Sequence, residues 1–171
     1  ALAIAPLARI IAIAVDPVVN STLLNIGRMI SAAAEQSPLI MGFLLGGIMK
    51  MICTSPLSSM ALTAMLGLDG LAMGIAAIAC VGGSFTNGII FDRLKLGERS
   101  NVIAVMLEPL TQADIITQNP IPIYGSNFFG GGLAGLAAAM LGIINNAPGT
   151  ASPIPGLLAP FGFNPPLKVV A

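Results

Sequence analysis

The chain has 171 residues, of which 56% are hydrophobic and 8% are charged, with equal numbers of acidic and basic residues and no histidine. A soluble domain carries roughly 25% charged residues, so this composition predicts an integral membrane protein of the all-α class, with the lipid bilayer as its surroundings. Zero net charge excludes a basic surface for nucleic acid, and the lack of histidine excludes imidazole-based metal sites and proton relays.

The N-terminal segment is apolar and carries Pro6 and Arg9 without a cationic leader, so it does not predict a signal peptide. It is typical of a helix that continues from a longer polypeptide, and residues 1–171 are expected to be one transmembrane domain within that polypeptide. Asp16 and Pro17 fit the cap and first turn of a second helix, which is predicted to be amphipathic over residues 16–36. This helix is expected either to lie in the membrane interface or to pack along the edge of the protein.

Two short apolar runs follow, residues 38–53 and residues 60–68, and each is short for a membrane crossing, which needs about 20 residues. Between them lies "TSPLSS", in which Pro56 lacks an amide hydrogen and disfavours helix at Ser55. This pattern predicts two helices that meet at a polar break, as in a re-entrant hairpin. Lys50, near the end of the first run, is expected to extend its amine to the interface, with a pair between Lys50 and Glu108 as the alternative.

The segment from Leu71 to Phe91 is the clearest predicted spanning helix, because residues 70–91 hold no charge. The loop at residues 92–100 contains three of the seven basic residues, which places it in the cytoplasm by the positive-inside tendency. In the next apolar segment, Glu108 is the acid most deeply embedded among apolar residues. It either binds solute or exchanges a proton inside the protein, or it lies at the interface beside a helix break.

Residues 115–167 hold no charged side chain, yet two further polar segments interrupt them, "QNPIPIYGSN" at residues 118–127 and "NNAPGTASP" at residues 145–153. Unpaired main-chain groups cost several kcal/mol each in lipid, so the three breaks are expected to face one another, water or a ligand. Transporters bind solutes at broken helices in this way. The alternative is that the breaks are ordinary loops outside the membrane.

The breaks offer hydroxyl, amide and main-chain groups, which suit a small, uncharged, polar solute. The candidate solute-binding residues are Ser58, Glu108, Asn119, Ser126 and Asn127. No catalytic constellation is present, and Cys53 and Cys80 stand alone in apolar segments, so neither an enzyme nor a metal or cofactor site is predicted. Glycine pairs four residues apart, such as Gly42 with Gly46 and Gly131 with Gly135, predict close helix packing within the subunit or in a dimer.

The stretches "SPLSSMALTAMLGLDGLAMGIAAIAC" and "NPIPIYGSN" followed by "NNAPGTASPIPGLL" carry a resemblance that covers Leu39 to Leu158. In this region the chain resembles the phosphotransferase-system IIC-like permeases that occur as single membrane proteins. The residues that match motif positions of this family are Ser55, Pro56, Ser58, Asn119, Pro120 and Gly149. The resemblance therefore adds Ser55 and Gly149 to the candidate solute-binding residues.

The resemblance implies a multi-pass protein of the bacterial inner membrane, with broken or re-entrant helices, that forms a homodimer and transports a solute of the sugar class. It also implies phosphorylated cytoplasmic carrier proteins as partners. The permease signature G-x-T-E-P is absent, and only Glu108-Pro109 matches a part of it. Coupled phosphorylation is therefore not carried over to this chain. The alternative function is a membrane sensor or a structural subunit that does not transport.

Overall fold

The computed structural model describes residues 4–170, and this range is helical without any strand, as the sequence predicts. In chain order the helices are α1 (Ile4–Gln36), α2 (Pro38–Thr54), α3 (Ser59–Met65), α4 (Gly70–Arg93), α5 (Arg99–Leu107), α6 (Ala113–Gln118), α7 (Pro120–Met140), α8 (Pro153–Leu158) and α9 (Pro166–Val170). Two 3-10 turns, Pro109–Gln112 and Ala159–Gly162, follow α5 and α8.

The first helix runs without interruption through Pro17, so the break predicted at Asp16 and Pro17 is wrong. A proline inside a helix removes one main-chain hydrogen bond and bends the helix, but it does not have to end it. The segment at residues 16–36 is the second half of α1. It packs against the turn after α3 through Gly27, where an added Cβ would overlap the carbonyl oxygen of Leu66.

Helix α4 confirms that the segment predicted at Leu71 to Phe91 is helical and extends it slightly at both ends. Within residues 4–170 it is the one helix that is both long and apolar enough to cross a membrane, with a mean hydropathy of 1.6 over its most apolar window. Helix α2 is apolar but has only 17 residues. Most of that window of α4 is buried, so this helix is the centre of the protein.

Helices α2, α4 and α7 form the core, and small residues let their backbones approach closely. A Cβ added to Gly46 would lie 2.6 Å from the carbonyl oxygen of Gly131 and 2.9 Å from the Cα of Gly135. The predicted role of these glycine pairs in helix packing is thus confirmed. Contacts of Gly42 with Ala139 and of Gly47 with Phe128 show that α7 runs antiparallel to α2.

The pair α2 and α7 is held together by a reciprocal aromatic contact. The ring of Phe43 on α2 covers Gly132 on α7, and the ring of Phe128 on α7 covers Gly47 on α2. The two rings also meet edge to face, with centroids 5.6 Å apart. Because each phenylalanine fills the space left by a glycine of the other helix, this contact fixes the register of the two helices.

The predicted break at residues 118–127 is wrong, because α7 is helical from Pro120 onward. Only Asn119 separates it from α6. Prolines at the first and third positions of a helix remove amide hydrogens that have no partner inside the helix in any case. Pro120 and Pro122 therefore start the helix, and Ser126 and Asn127 lie within it.

The predicted breaks at residues 54–59 and 145–153 are confirmed in substance. The chain between α2 and α3 is irregular from Ser55 to Ser58, and the chain between α7 and α8 is irregular from Leu141 to Ser152. Helix α2 ends where Ser55 becomes extended ahead of Pro56. These two irregular segments directly follow the core helices α2 and α7.

Candidate functional site

The segment between α2 and α3 lies directly against the segment between α7 and α8. The hydroxyl of Ser59 donates a hydrogen bond of 2.6 Å to the carbonyl oxygen of Ala151. A Cβ added to Gly149 would lie 3.3 Å from the Cβ of Ala64 on α3. At the start of α4, the amide of Gly70 donates to the side chain of Asn146 at 3.0 Å. The two breaks therefore face each other, as the cost of unpaired main-chain groups requires.

A cavity of about 40 Å³ lies where these two segments meet the end of α5. Its polar lining consists of Ser58, Ser59, Ser152 and Glu108, and its apolar lining of Cys53, Leu57, Met60 and Leu110. The cavity thus brings together two of the predicted site residues, Ser58 and Glu108. We call it the break cavity.

Local structure fixes the two predicted residues of the break cavity. Ser58 is the N-cap of α3, and its hydroxyl oxygen accepts the amide hydrogen of Ala61 at 3.1 Å. Glu108 follows the last residue of α5 and has an extended backbone, because Pro109 disfavours helix at the residue before it. The chain turns away after Glu108, and its half-buried side chain lines the cavity.

Ser55 and Gly149, the two candidates added by the resemblance, do not line the cavity. They determine the backbone course of the two irregular segments. Ser55 donates its hydroxyl to the carbonyl oxygen of Ile52 at 2.8 Å and accepts the amide of Leu57 at 3.2 Å, which forms the turn after α2. Gly149 has a φ of +83°, which favours glycine, and it lies against α3. Their binding role stays a prediction.

The remaining candidates lie away from the break cavity. Asn119 joins α6 to α7, and its side-chain amide donates to the carbonyl oxygen of Ile115 at 3.1 Å. Ser126 is half-buried on α7. Asn127 is fully buried in the core. Since the segment that holds these residues is a helix, they do not meet at the irregular segments as expected.

Asn127 belongs to a buried polar layer that joins the three core helices. Its side-chain amide donates to Asn87 of α4 at 2.6 Å, and Asn87 donates to Thr54 of α2 at 3.3 Å. All three residues are almost completely buried. The side-chain oxygen of Asn127 has no hydrogen-bond partner within the described residues. A buried acceptor without a partner is rare and marks a place where a donor is missing.

Lys50 contradicts the expectation that its amine extends to the interface, because its side chain is fully buried. It lies between α4 and α7, where an added Cβ on either Gly83 or Gly131 would overlap its methylene groups. Its ammonium donates to the carbonyl oxygen of Cys80 at 3.4 Å. Glycine on both neighbouring helices makes a slot that holds the stem and directs the amine inward.

Several polar residues at these places were not singled out from the sequence. Ser59 and Ser152 line the break cavity, and Thr54 and Asn87 complete the buried layer. Ser59 and Ser152 stand within the predicted breaks, so the breaks themselves were the available signal. The sequence signal for Asn87 was different: its side chain is an amide inside a charge-free helix, where a polar side chain needs a buried partner.

A larger cavity of about 470 Å³ lies elsewhere, between α1 and the turn after α3. Its charged lining is formed by Arg28, Glu35 and Asp69, which are all exposed. None of the predicted site residues line it. The break cavity is the better candidate site, because it joins irregular backbone, hydroxyl groups and a half-buried carboxylate.

Comparison with known proteins gives one finding. The family model described as "Phosphotransferase system, EIIC" matches residues 1–171. The chain belongs to this family. No curated protein and no solved structure matches it.

Membership of this family makes the EIIC chain a membrane protein with the role of a transport permease. The EIIC component is the transporter of the phosphotransferase system and not its catalytic phosphotransferase. The family also implies association with the phosphocarrier components of that system. The break cavity is therefore a candidate solute site in a transport component.

Proposed function

We propose that this EIIC chain binds a small, uncharged, polar solute of the sugar class in the break cavity and carries it across the bacterial inner membrane. The observation that supports this most directly is that Ser58 and Glu108, which are far apart in sequence, line one cavity where two irregular segments meet. Irregular backbone at membrane depth is tolerated where it is buried in protein or lines a wet cavity.

The chemistry of the lining suits a solute with several hydroxyl groups. The carboxylate of Glu108 accepts hydrogen bonds from hydroxyls, and such charged hydrogen bonds are stronger than neutral ones. The hydroxyl oxygen of Ser58 already accepts from Ala61, so its own hydrogen is free to donate to the solute. Ser59 uses its hydrogen on Ala151, so its oxygen is free to accept. The cavity thus offers both donors and acceptors to a solute.

The size of the cavity means that binding needs movement. A volume of about 40 Å³ has room for a few water molecules and not for a sugar. The irregular segment from Ser55 to Ser58 and the seven-residue helix α3 are the short elements beside the cavity. We therefore place the opening movement in this hairpin, which bends where Pro56 interrupts the helical ladder.

The same proposal includes an arrangement in the membrane. Helix α4 spans the bilayer, while α2 with α3 forms a re-entrant pair whose tip meets the end of the segment between α7 and α8 at the break cavity. The loop at residues 92–100 is cytoplasmic, and its exposed side chains Arg93, Lys95 and Arg99 support this side. The segment at residues 16–36 lies along the interface, and the protein acts as a homodimer beside its phosphocarrier partners.

Uptake into proteoliposomes tests the transport function, with a panel of labelled hexoses, hexitols and disaccharides. Glu108→Gln keeps the shape of the side chain but removes its charge, so solute affinity is expected to fall by about 10- to 100-fold. Asp114→Asn is the matched control, because Asp114 is exposed on α6 outside the cavity. Solute binding without uptake would favour a sensor, and wild-type affinity in Glu108→Gln would remove the break cavity as the site.

A further inference from the structure

Lys50 is a buried cation that is not among the residues lining the break cavity. Building on the proposed function, we infer that Lys50 binds solute at the inner end of the break cavity. There it completes, with Glu108, a site of zero net charge that selects neutral hydroxylated solutes over charged ones. The inference rests on the burial of Lys50, on the free donors of its ammonium and on its position relative to the cavity.

The ammonium of Lys50 has few hydrogen-bond acceptors, and it is buried where an unpaired charge is energetically unfavourable. It carries three N–H donors, and within residues 4–170 one of them has an acceptor, the carbonyl oxygen of Cys80 at 3.4 Å. The side chain is fully buried. An ammonium buried without a hydrogen-bonded counter-charge is strongly unfavourable, so a lysine kept inside a membrane protein is expected to have a function.

The neighbouring helices are shaped to hold this side chain. Gly83 of α4 and Gly131 of α7 lie against its methylene groups, and a Cβ on either glycine would occupy the same space. A lysine kept only as filler would not need a slot formed by glycines of two helices. The slot keeps the stem still, so that the position of the ammonium is defined before any solute arrives.

The position of Lys50 connects it to the break cavity. It precedes Cys53 by three residues on α2, which places both side chains on the same face of that helix. Cys53 lines the cavity, so Lys50 lies about one helical turn along α2 from a lining residue. When the cavity opens toward the core, its inner end therefore reaches the ammonium of Lys50.

The polar layer on the next turn provides an acceptor to match these donors. Thr54 follows Lys50 by one turn on α2, and Asn127 precedes Gly131 by one turn on α7. The side-chain oxygen of Asn127 lacks a donor. A hydroxyl group both accepts and donates, so one solute can accept from Lys50 and donate to Glu108 or Asn127. A carboxylate or an ammonium on the solute would leave one protein charge without its complement.

A comparison of three sugars of different charge tests the inference: neutral glucose, anionic gluconate and cationic glucosamine, each measured by equilibrium binding to the full-length protein. The wild type is expected to prefer glucose by about tenfold or more. Lys50→Met should weaken glucose binding by about tenfold and shift the preference toward glucosamine, whereas Glu108→Gln should shift it toward gluconate. Lys168→Met, which removes a lysine outside the cavity, should leave the order of preference among the three sugars as in the wild type.

The inference is overturned if Lys50→Met binds glucose as the wild type does and keeps the same order of preference. A wild type that binds none of the three sugars would instead count against the proposed function. A measurement that needs no solute and no substitution of Lys50 then decides whether the cavity reaches this side chain. Reductive methylation with formaldehyde and cyanoborohydride on the folded wild type is followed for each lysine by mass spectrometry.

Lys95 lies exposed in the loop after α4 and serves as the fast reference in this experiment. Lys50 is expected to be methylated faster than global unfolding permits, because the cavity opens to it. Ser58→Trp, which places a large ring at the exposed rim, is expected to slow the reaction at Lys50 and not at Lys95. Methylation of Lys50 at the rate of global unfolding would show that the cavity does not reach it, and the inference would fall.

Discussion

The hydroxyl of Ser59 donates a hydrogen bond of 2.6 Å to the carbonyl oxygen of Ala151, 92 residues further along the chain. This contact joins the start of α3 to the irregular segment that precedes α8. It is the shortest described link between the two breaks, and it closes one side of the break cavity. The solute site depends on this junction, because neither segment alone forms an enclosed space.

Replacement of Ser59 tests the junction. Ser59→Ala is expected to lower the free energy of unfolding by about 1 kcal/mol, since one buried hydrogen bond is lost and the carbonyl of Ala151 loses its partner. Hydrogen exchange should accelerate at residues 142–152, which are held by this bond. Detergent-solubilised protein is suitable for both measurements.

Ser58→Ala is the matched control, because it removes the N-cap hydrogen bond to Ala61 and leaves the junction intact. It should cost a similar amount, about 1 kcal/mol, but accelerate exchange in α3 instead of residues 142–152. If both variants changed the same segment, the hydrogen bond between Ser59 and Ala151 would not hold the two breaks together.

Disruption of the buried polar layer is expected to lower the free energy of unfolding more than the serine substitutions do. Asn87→Ala removes the acceptor of Asn127 and the donor to Thr54, and it leaves the whole side-chain amide of Asn127 buried without partners. The expected cost is about 1–3 kcal/mol in the free energy of unfolding. Asn25→Ala, at an exposed position of α1, should change stability by less than about 0.5 kcal/mol. Equal stability of the two variants would contradict the layer.

Two glycines of α7 give opposite predictions for the same substitution. A Cβ on Gly131 would overlap Lys50, so Gly131→Ala should destabilise the protein by about 1–3 kcal/mol through overpacking. Gly125 has open space at its Cβ position, and Gly125→Ala should stabilise the helix by about 0.5–1 kcal/mol. Thermal unfolding of both variants checks the sign. A stabilising Gly131→Ala would mean that α7 does not pack on Lys50 as described.

The all-helical class and the position of α4 were predictable because they depend on local signals. The charge-free run at residues 70–91 is bounded by Asp69 and Asp92, and α4 begins and ends within two residues of these acids. The break at Ser55 was predictable for the same reason, since Pro56 acts on its neighbour in any context. Pro120 and Pro122 led to a wrong prediction of a break, because a proline in the first turn of a helix starts the helix and does not interrupt it.

The candidate site was only partly predictable, because it depends on contacts between distant segments. The polarity of Ser58 and Glu108 marked them, yet only the packing of α3 against residues 142–152 and α5 brings them into one cavity. Lys50 was placed wrongly because a single sequence does not show which helix faces will surround a side chain. Its burial follows from Gly83 and Gly131, which leave the space that the stem occupies.

The most direct test of the account is solute protection at the break cavity. Ser58→Cys is placed in a background in which Cys53 and Cys80 are changed to alanine, and its reaction rate with a small maleimide is measured with and without saturating sugars from the uptake panel. Ser126→Cys, on α7 away from the cavity, is the control. We predict that a transported sugar slows labelling at position 58 by about tenfold or more and leaves position 126 unchanged. Equal labelling of position 58 with and without that sugar would contradict a solute site between the two breaks.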